Sequence, residues 1–514
     1  MAARLLIGPV GSGKTTRALE AFRRFTSLQQ HESVRFVVPG ISQILDLRRF
    51  VLNDRTDGTH VLPGILGDPF CTFQRLAEEM VGTRTITETQ KRLLLGSLPL
   101  PEHFRPSPNL PAALSTIIRT LKRSLISPDD LREAAVHLPD TSETKASALS
   151  VLYRSYEDAL AERKLQDNEG LLWRALTRGV PWELVIVDGF TRLYPLYMEL
   201  IRHLADACDV LITADESIDM PDAEIEYLSP PKTQNPQPTT LASLDAVASE
   251  IKRLLREGFR LDDIAVVARD TRPYQQKIAR VFGEYGIQLA VEVYPLTWEG
   301  EGLGARVSSH APERTRTSAL PDHRRFYAAL RARKRIMAEI EAGENLLGLK
   351  LDSRALSLAI SRGTFRVSNG SGVTLSDVDM LGGREFKVIF IVGSVESRQP
   401  YEDPFLLDFE RELLNPHLPR PLELSTAGQD DYDVTSSATE RVYLINPELQ
   451  GDLLPAIEDA ETLNALRRRT ILDCFNAEDD ETKQTAAAAY NLLLEHGVPM
   501  DFEPIPNKIA EPLE

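Results

Sequence analysis

The sequence has 514 residues, with 59 Lys and Arg against 76 Asp and Glu and a formal net charge of −17. At about 100–200 residues per domain, this length predicts several domains with hydrophobic cores. Three scattered cysteines exclude a disulfide framework and a four-thiolate metal centre. No apolar run approaches the roughly 18 residues of a membrane span, and no signal-peptide pattern opens the sequence. We therefore expect a soluble, cytoplasmic protein.

The excess negative charge lies at one end of the sequence. Residues 401–514 carry 25 acidic and 8 basic side chains, so the first 400 residues carry 51 of each and are neutral. A uniformly acidic surface would repel nucleic acid. A neutral body with an acidic end leaves nucleic-acid binding open for the first 400 residues.

Apolar segments alternate with helical patterns through the first 228 residues. Strands are predicted near 4–8, 34–39, 184–188 and 209–213, and residues 72–178 have a mostly helical pattern. This alternation predicts an α/β fold in which helices cover a parallel sheet and a large helical insertion interrupts it.

A polar linker, residues 229–240, precedes a second α/β segment. Helices are predicted at 241–256 and 274–285, and strands at 264–268 and 387–392. The last 60 or so residues have an acidic, helical pattern.

Residues 8–15 (GPVGSGKT) complete the pattern G-x-x-x-x-G-K-[ST] between a predicted strand and a predicted helix. Glycines let backbone N–H groups surround phosphate oxygens, and the helix N-terminus adds partial positive charge. Lys14 is expected to reach the β- and γ-phosphates of ATP, and the Thr15 hydroxyl to ligate Mg²⁺. The residues predicted to contact the nucleotide here are Gly8, Gly11, Ser12, Gly13, Lys14, Thr15 and Thr16.

The second Mg²⁺ ligand is predicted to be Asp188, which ends the apolar strand 184–188. An ordinary strand-end cap is the alternative for this residue. Hydrolytic P-loop enzymes usually follow this aspartate with a glutamate that orients the attacking water, whereas this sequence has Gly189. The pattern favours nucleotide and Mg²⁺ binding over fast hydrolysis.

A basic stretch, residues 314–335, interleaves Phe326 and Tyr327 with arginines. Basic residues mixed with aromatics favour nucleic-acid binding. An exposed charged helix explains the same composition equally well.

Four further segments give the sequence a resemblance to UvrD-like superfamily-one helicases. They are residues 184–190 (LVIVDGF), 263–270 (DIAVVARD), 373–400 (VTLSDVDMLGGREFKVIFIVGSVESRQP) and 435–444 (TSSATERVYL). Together with the P-loop, they are most similar to the AddB family, the B subunit of an ATP-dependent helicase/deoxyribonuclease. The third segment is the most specific match, although Gly382 stands where the family has a basic residue.

This resemblance implies two RecA-like lobes with ATP and Mg²⁺ between them. It assigns Lys14 and Asp188 to catalysis, adds Arg269 from the second lobe near the γ-phosphate, and places Glu385 at the inter-lobe nucleotide contact. It also implies binding of single-stranded DNA or duplex ends, together with a helicase/nuclease partner of the AddA type.

The sequence departs from active helicases at several positions. Ser437 stands where an arginine finger is usual, and such a residue contributes about 10³–10⁵ in rate. With Gly189 in place of glutamate, weak or absent turnover is expected. An active DNA-dependent ATPase that uses a substitute such as Glu216 is one alternative, and a nucleotide-stabilised scaffold is another. No nuclease motif is recognised, so the sequence predicts a nuclease-less relative.

The combined interpretation divides the sequence into six parts, with the second insertion reduced relative to the family. They are a first lobe (1–71 and 180–228), its helical insertion (72–179), a linker (229–240), a second lobe (241–299 and 363–447), a reduced insertion (300–362) and an acidic helical region (448–514).

Overall fold

The structure is a computed structural model. It describes residues 3–9, 11–27, 31–53, 67–83, 85–101, 104, 110–215, 217–229, 239–241, 243–268, 271, 274–295, 320–348, 364–368, 371–382, 384–392, 403, 405–424 and 434–445. Residues 448–514, residues 314–319 of the basic stretch and the side chains of Phe326 and Tyr327 lie outside this description, so the predictions for them stay predictions.

The first half of the chain builds one parallel sheet. Its strands are β1 (Ala3–Ile7), β2 (Val34–Val37), β3 (Phe70–Cys71), β4 (Leu184–Val187), β5 (Asp209–Ala214) and β6 (Glu224–Tyr227). They lie in the spatial order β3-β2-β4-β5-β1-β6, and each neighbouring pair is parallel. The central strands are buried on both faces, as a parallel sheet between helices requires.

Helices cover this sheet and form the insertion between β3 and β4. They are α1 (Lys14–Ser27), α2 (Ile41–Asn53), α3 (Phe73–Val81), α4 (Glu88–Ser97), α5 (Leu110–Arg123), α6 (Pro128–Ala135), α7 (Asp140–Glu162), α8 (Asn168–Ala175) and α9 (Pro195–Ala207). Hydroxyl or carboxylate caps begin several of them: Thr72 Oγ1 accepts from the backbone of Arg75, and Asp167 Oδ1 accepts from the backbone of Gly170.

The second half of the chain builds another parallel sheet and a short antiparallel pair. Its strands are β7 (Thr239–Leu241), β8 (Ile264–Ala268), β9 (Val291–Pro295), β10 (Thr364–Ser368), β11 (Thr374–Asp377), β12 (Phe386–Val392) and β13 (Ala438–Ile445). The sheet has the order β11-β8-β12-β13-β7, whereas β9 pairs with β10. The helices are α10 (Leu244–Arg256), α11 (Gln275–Glu284), α12 (Leu320–Leu347) and α13 (Asp408–Leu414). Two parallel sheets with covering helices confirm the predicted α/β class with two RecA-like lobes.

The hydrophobic core of the helical insertion includes residues from the second half of the chain. On α5, apolar side chains at a helical spacing, such as Leu114, Ile117 and Leu121, face this core. Residues that follow β12 join the same core, namely Phe405, Leu406, Leu414 and Leu422. The buried Lys145 Nζ of α7 also lies 2.6 Å from Glu410 Oε2 of α13. The two halves of the chain therefore share one core away from their sheets.

Among the helices that the structure describes, none combines the length and the apolar composition of a transmembrane span.

Candidate nucleotide-binding site

The loop between β1 and α1 favours glycine at three positions. A Cβ on Gly8 would lie 2.6 Å from Ser12 Oγ and 3.0 Å from the Leu228 carbonyl oxygen, so a side chain there would force its neighbours to shift. Gly11 and Gly13 have φ values of 78° and 85°, in the left-handed region that glycine favours. Because the chain reverses tightly at these residues, α1 begins with its free N–H groups beside the loop.

The loop offers hydrogen-bond donors that the described protein atoms leave unused. Ser12 Oγ is buried and has no hydrogen-bond partner among the described residues. The first turn of α1, which contains Thr15 and Thr16, carries no acidic side chain that would compete for its N–H groups. An unused hydroxyl and a bare helix N-terminus on a glycine loop suit a phosphate group, so the residues present fit a nucleotide.

Lys14 is folded back over its own loop. Its Nζ donates to the carbonyl oxygens of Gly8 and Pro9, the latter at 2.9 Å, and to Asp215 Oδ1 at 2.7 Å. The side chains of Lys14 and Asp215 are 12% and 38% exposed, so this pair lies at the rim of the site. All three ammonium protons therefore have acceptors.

The predicted metal ligands meet one another. Thr15 Oγ1 lies 3.1 Å from both carboxylate oxygens of Asp188, and Thr213 Oγ1 donates to Asp188 Oδ1 at 2.7 Å. Burial raises the pKa of Asp188, and the hydrogen bonds from the two threonines oppose that rise. Because Mg²⁺ prefers hard oxygen ligands, this hydroxyl–carboxylate pair fits the ion, whose positive charge would favour the ionised carboxylate.

The strand order brings these groups together. Lys14 follows β1, Asp215 follows β5 and Asp188 follows β4, and these three strands are neighbours with β5 in the middle. In the strand register, Ile7 pairs with Ala214 and Val187 pairs with Ile212. The carboxyl ends of β1, β4 and β5 therefore lie at the same edge of the sheet. Sequence reasoning gave Asp215 no role, although a carboxylate one residue beyond an apolar strand was the available signal.

Two departures from the helicase pattern contact each other. Gly189 has a φ of 77°, and a Cβ on it would lie 3.0 Å from the Gly382 carbonyl oxygen. A Cβ on Gly382 would in turn overlap the Gly189 carbonyl oxygen and lie 3.2 Å from Thr191 Cγ2. The second-lobe turn before β12 thus covers the position that a glutamate would occupy after Asp188. We call this contact the glycine seam.

Further contacts join the lobes beside the glycine seam. Gln43 Nε2 of α2 donates to the Met380 carbonyl oxygen at 3.1 Å. Asp46, one turn further along α2, lies 2.9 Å from Arg384 Nε. The predicted nucleotide contact Glu385 is the exposed neighbour of Arg384, so it stays a prediction.

The structure describes Ser437 but not the other two residues that the sequence connects with hydrolysis. Arg269 and the substitute candidate Glu216 lie outside the described residues, so their roles stay predictions. Ser437, at the position of the missing arginine finger, is fully buried before β13. A buried serine leaves this position without a side chain that projects into the site.

Comparison with known proteins supports the same family. The chain is 26% identical over 380 residues to the B subunit of the ATP-dependent helicase/deoxyribonuclease of Geobacillus thermodenitrificans, covering 56% of this chain and 32% of the relative. It is 22% identical over 350 residues to the protein of the same name from Carboxydothermus hydrogenoformans, covering 55% and 31%. For the Bacillus subtilis protein of that name the identity is 22% over 380 residues, covering 57% and 32%. The chain is AddB-like.

The AddB-like chain matches about a third of the length of these curated relatives. No protein-family model matches it. The resemblance therefore rests on the relatives and on the motifs that the fold brings to one edge of the first sheet.

Proposed function

We propose that this AddB-like chain is an ATP·Mg²⁺-binding subunit that acts on single-stranded DNA or duplex ends in recombinational repair. It works with an active helicase/nuclease partner of the AddA type and has weak or no turnover of its own. If it does turn over, its activity is that of a DNA-helicase ATPase.

The glycine seam is the observation that carries the central part of this proposal, nucleotide binding with weak or no turnover. The phosphate loop, Lys14 and the Thr15–Asp188 pair supply what a nucleotide and its metal need for binding. Mg²⁺, when bound, neutralises charge on the β- and γ-phosphates. The position after Asp188 has neither a carboxylate nor space for one, since the backbone of Gly382 lies against it. Binding without efficient activation of water is the expected result.

The DNA and partner parts of the proposal come from the relatives. Their shared name describes a subunit of an ATP-dependent helicase and deoxyribonuclease. The neutral charge of the first 400 residues is compatible with DNA phosphates, and binding dominated by phosphate contacts weakens steeply with salt.

A Lys14→Ala variant tests the nucleotide site. Binding of a non-hydrolysed ATP analogue with Mg²⁺ should weaken on the order of 100-fold or more, because the variant removes the charge that contacts the β- and γ-phosphates. Lys334→Ala, which removes an exposed lysine of α12, is the matched control and should bind like the unchanged protein. Hydrolysis should be measured with and without single-stranded DNA.

Each outcome separates the alternatives. DNA-stimulated turnover of about 1 s⁻¹ or more that is lost in Lys14→Ala would replace the proposal with an active ATPase. Absence of nucleotide binding by all three proteins would remove the nucleotide site and leave only a scaffold role, and equal, measurable affinity would contradict the role of Lys14. Nucleotide binding that depends on Lys14, with turnover well below that rate, supports the proposal.

A further inference from the structure

The Lys14 ammonium group already donates to three acceptors within the protein. Two of its acceptors are uncharged carbonyl oxygens of the same loop, Gly8 and Pro9, and the third is the Asp215 carboxylate. A phosphate oxygen must displace one of them to reach Nζ. Displacing a carbonyl would leave an anionic phosphate beside the anionic Asp215, so the carboxylate is the acceptor in electrostatic conflict with the ligand.

The position of Asp215 makes this conflict specific. It stands one residue beyond β5, and β5 is the parallel neighbour of the strand that leads into the loop. Asp215 Oδ1 and a bound phosphate would therefore approach the same nitrogen from the solvent side, where the Asp215 side chain is 38% exposed. That exposure leaves the carboxylate room to turn away. Asp188, which is buried and held by two threonines, has no such freedom.

We infer that Asp215 is an internal competitor for the phosphate site: its carboxylate takes the place of a nucleotide phosphate on Lys14 and lowers affinity for ATP. The inference rests on the proposed function of the loop. It makes nucleotide affinity a balance between Asp215 and the β- and γ-phosphates for one ammonium group. Ligands that lack those phosphates do not enter this competition.

Asp215→Asn in the full chain tests the inference, because asparagine keeps the size and removes the charge. The dissociation constant of a non-hydrolysed ATP analogue with Mg²⁺ should fall on the order of tenfold, since a charge-assisted partner of Lys14 is replaced by a neutral one. The dissociation constant for AMP should stay unchanged. Asp215→Ala, which also removes the acceptor oxygen, should tighten ATP binding at least as much.

Glu226→Gln is the matched control. Glu226 lies on β6, on the other side of β1, and its Oε1 is 3.7 Å from Arg17 Nη1 on the outside of α1. Its removal changes the net charge by the same amount near the same loop without touching Lys14. An equal gain in affinity for Glu226→Gln would show a general field effect and overturn the inference.

Further results of the Asp215→Asn experiment also decide whether Asp215 is a competitor. Weaker ATP binding by Asp215→Asn that appears only with Mg²⁺ would make Asp215 a metal ligand, and unchanged affinity with lost hydrolysis would make it a water-positioning residue. Either result overturns the inference. If the unchanged protein binds ATP through Lys14 and Asp215→Asn binds no better, only the competitor role fails. If neither binds ATP, the proposed function fails as well.

Discussion

Two regions of this chain pair lysines with carboxylates, and they use the arrangement in opposite ways. At the candidate nucleotide site, Lys14 meets Asp215 at a partly exposed rim. Inside the helical insertion, Lys122 Nζ lies 2.7 Å from Asp167 Oδ1 and 2.8 Å from Glu157 Oε1, with Lys122 and Asp167 at 1% and 2% exposure. We call Lys91, Lys122, Asp167 and Glu169 the insertion cluster.

Hydrogen bonds surround the Asp167 carboxylate at the centre of the insertion cluster. Asp167 accepts from Lys122, from the Tyr156 hydroxyl at 3.0 Å and from the backbone of Gly170 at 2.7 Å. Burial alone would raise the pKa of Asp167, but attraction to Lys122 and Lys91 and these hydrogen bonds outweigh it and lower the pKa to about 2. The carboxylate is therefore held charged where no phosphate can approach.

The candidate nucleotide site differs in its loop and in its buried carboxylate. Gly11 and Gly13 of the loop have positive φ values, and burial raises the pKa of Asp188. A buried ion pair by itself thus says little about function. Glycines in the left-handed backbone region and a carboxylate that is costly to keep charged without a cation distinguish this candidate ligand site from the structural cluster.

Breaking the insertion cluster should have the largest effect on stability. Lys122→Met keeps the apolar stem but leaves Asp167 short of its nearest cation, so the free energy of unfolding should fall by about 3–5 kcal/mol. Lys14→Met at the nucleotide site should change it by less than about 1 kcal/mol, since its pair is partly exposed. Urea unfolding followed by tryptophan fluorescence measures both. Trp173 donates to the Lys122 carbonyl oxygen and reports on the cluster. Equal losses for the two variants would refute the distinction.

The sequence indicated one of these regions and not the other. The P-loop was predictable because its chemistry lies in eight consecutive residues between a strand and a helix. The insertion cluster joins Lys91, Lys122 and Asp167, which lie on or beside three helices, and no local pattern marks such a contact. Periodicity predicted those helices but could not tell which lysine faces inward.

Contacts between the two halves of the chain could not be predicted from local sequence patterns either. The sequence showed Gly189 and Gly382 as separate departures from the helicase motifs, and only the fold shows that each excludes a side chain at the other. Glu410 likewise lies in an acidic part of the sequence, yet it is fully buried against Lys145. Solvation of charged residues is a sound average expectation, but tertiary partners override it.

A substitution in the glycine seam should have an intermediate effect on the free energy of unfolding. In Gly382→Ala the new methyl group overlaps the Gly189 carbonyl oxygen, so one lobe must shift, at a cost of about 1–3 kcal/mol in unfolding free energy. Amide hydrogen exchange should accelerate at residues 188–192 and 380–385. Gly283→Ala is the control, because a Cβ there meets nothing within 4 Å in α11 and should be neutral or slightly stabilising. Unchanged exchange in Gly382→Ala would mean that the seam does not hold the lobes.

Lowering the pH should have a smaller effect on the free energy of unfolding, and this effect should differ between the two regions. The folded pKa of Asp167 is about 2, below its ordinary value of 3.8, so its contribution is complete above the unfolded pKa and is lost as the pH falls through the folded pKa. Between about pH 6 and about pH 3, the insertion cluster should therefore lose about 1 kcal/mol of unfolding free energy. The effect of Asp188 has the opposite sign: its raised pKa favours the protonated form in the folded state, so acid should not lower the free energy of unfolding through this group.

The Asp167→Asn variant isolates the acid effect. Its unfolding free energy should be lower than that of the unchanged protein at neutral pH, and the difference should shrink by about 1 kcal/mol toward pH 3, because the unchanged protein alone loses the charged Asp167. Asp188→Asn should show a difference that does not shrink in acid. If both differences have the same pH dependence, burial and not the lysine partners governs both carboxylates, and the contrast between a sealed cluster and an open site no longer holds.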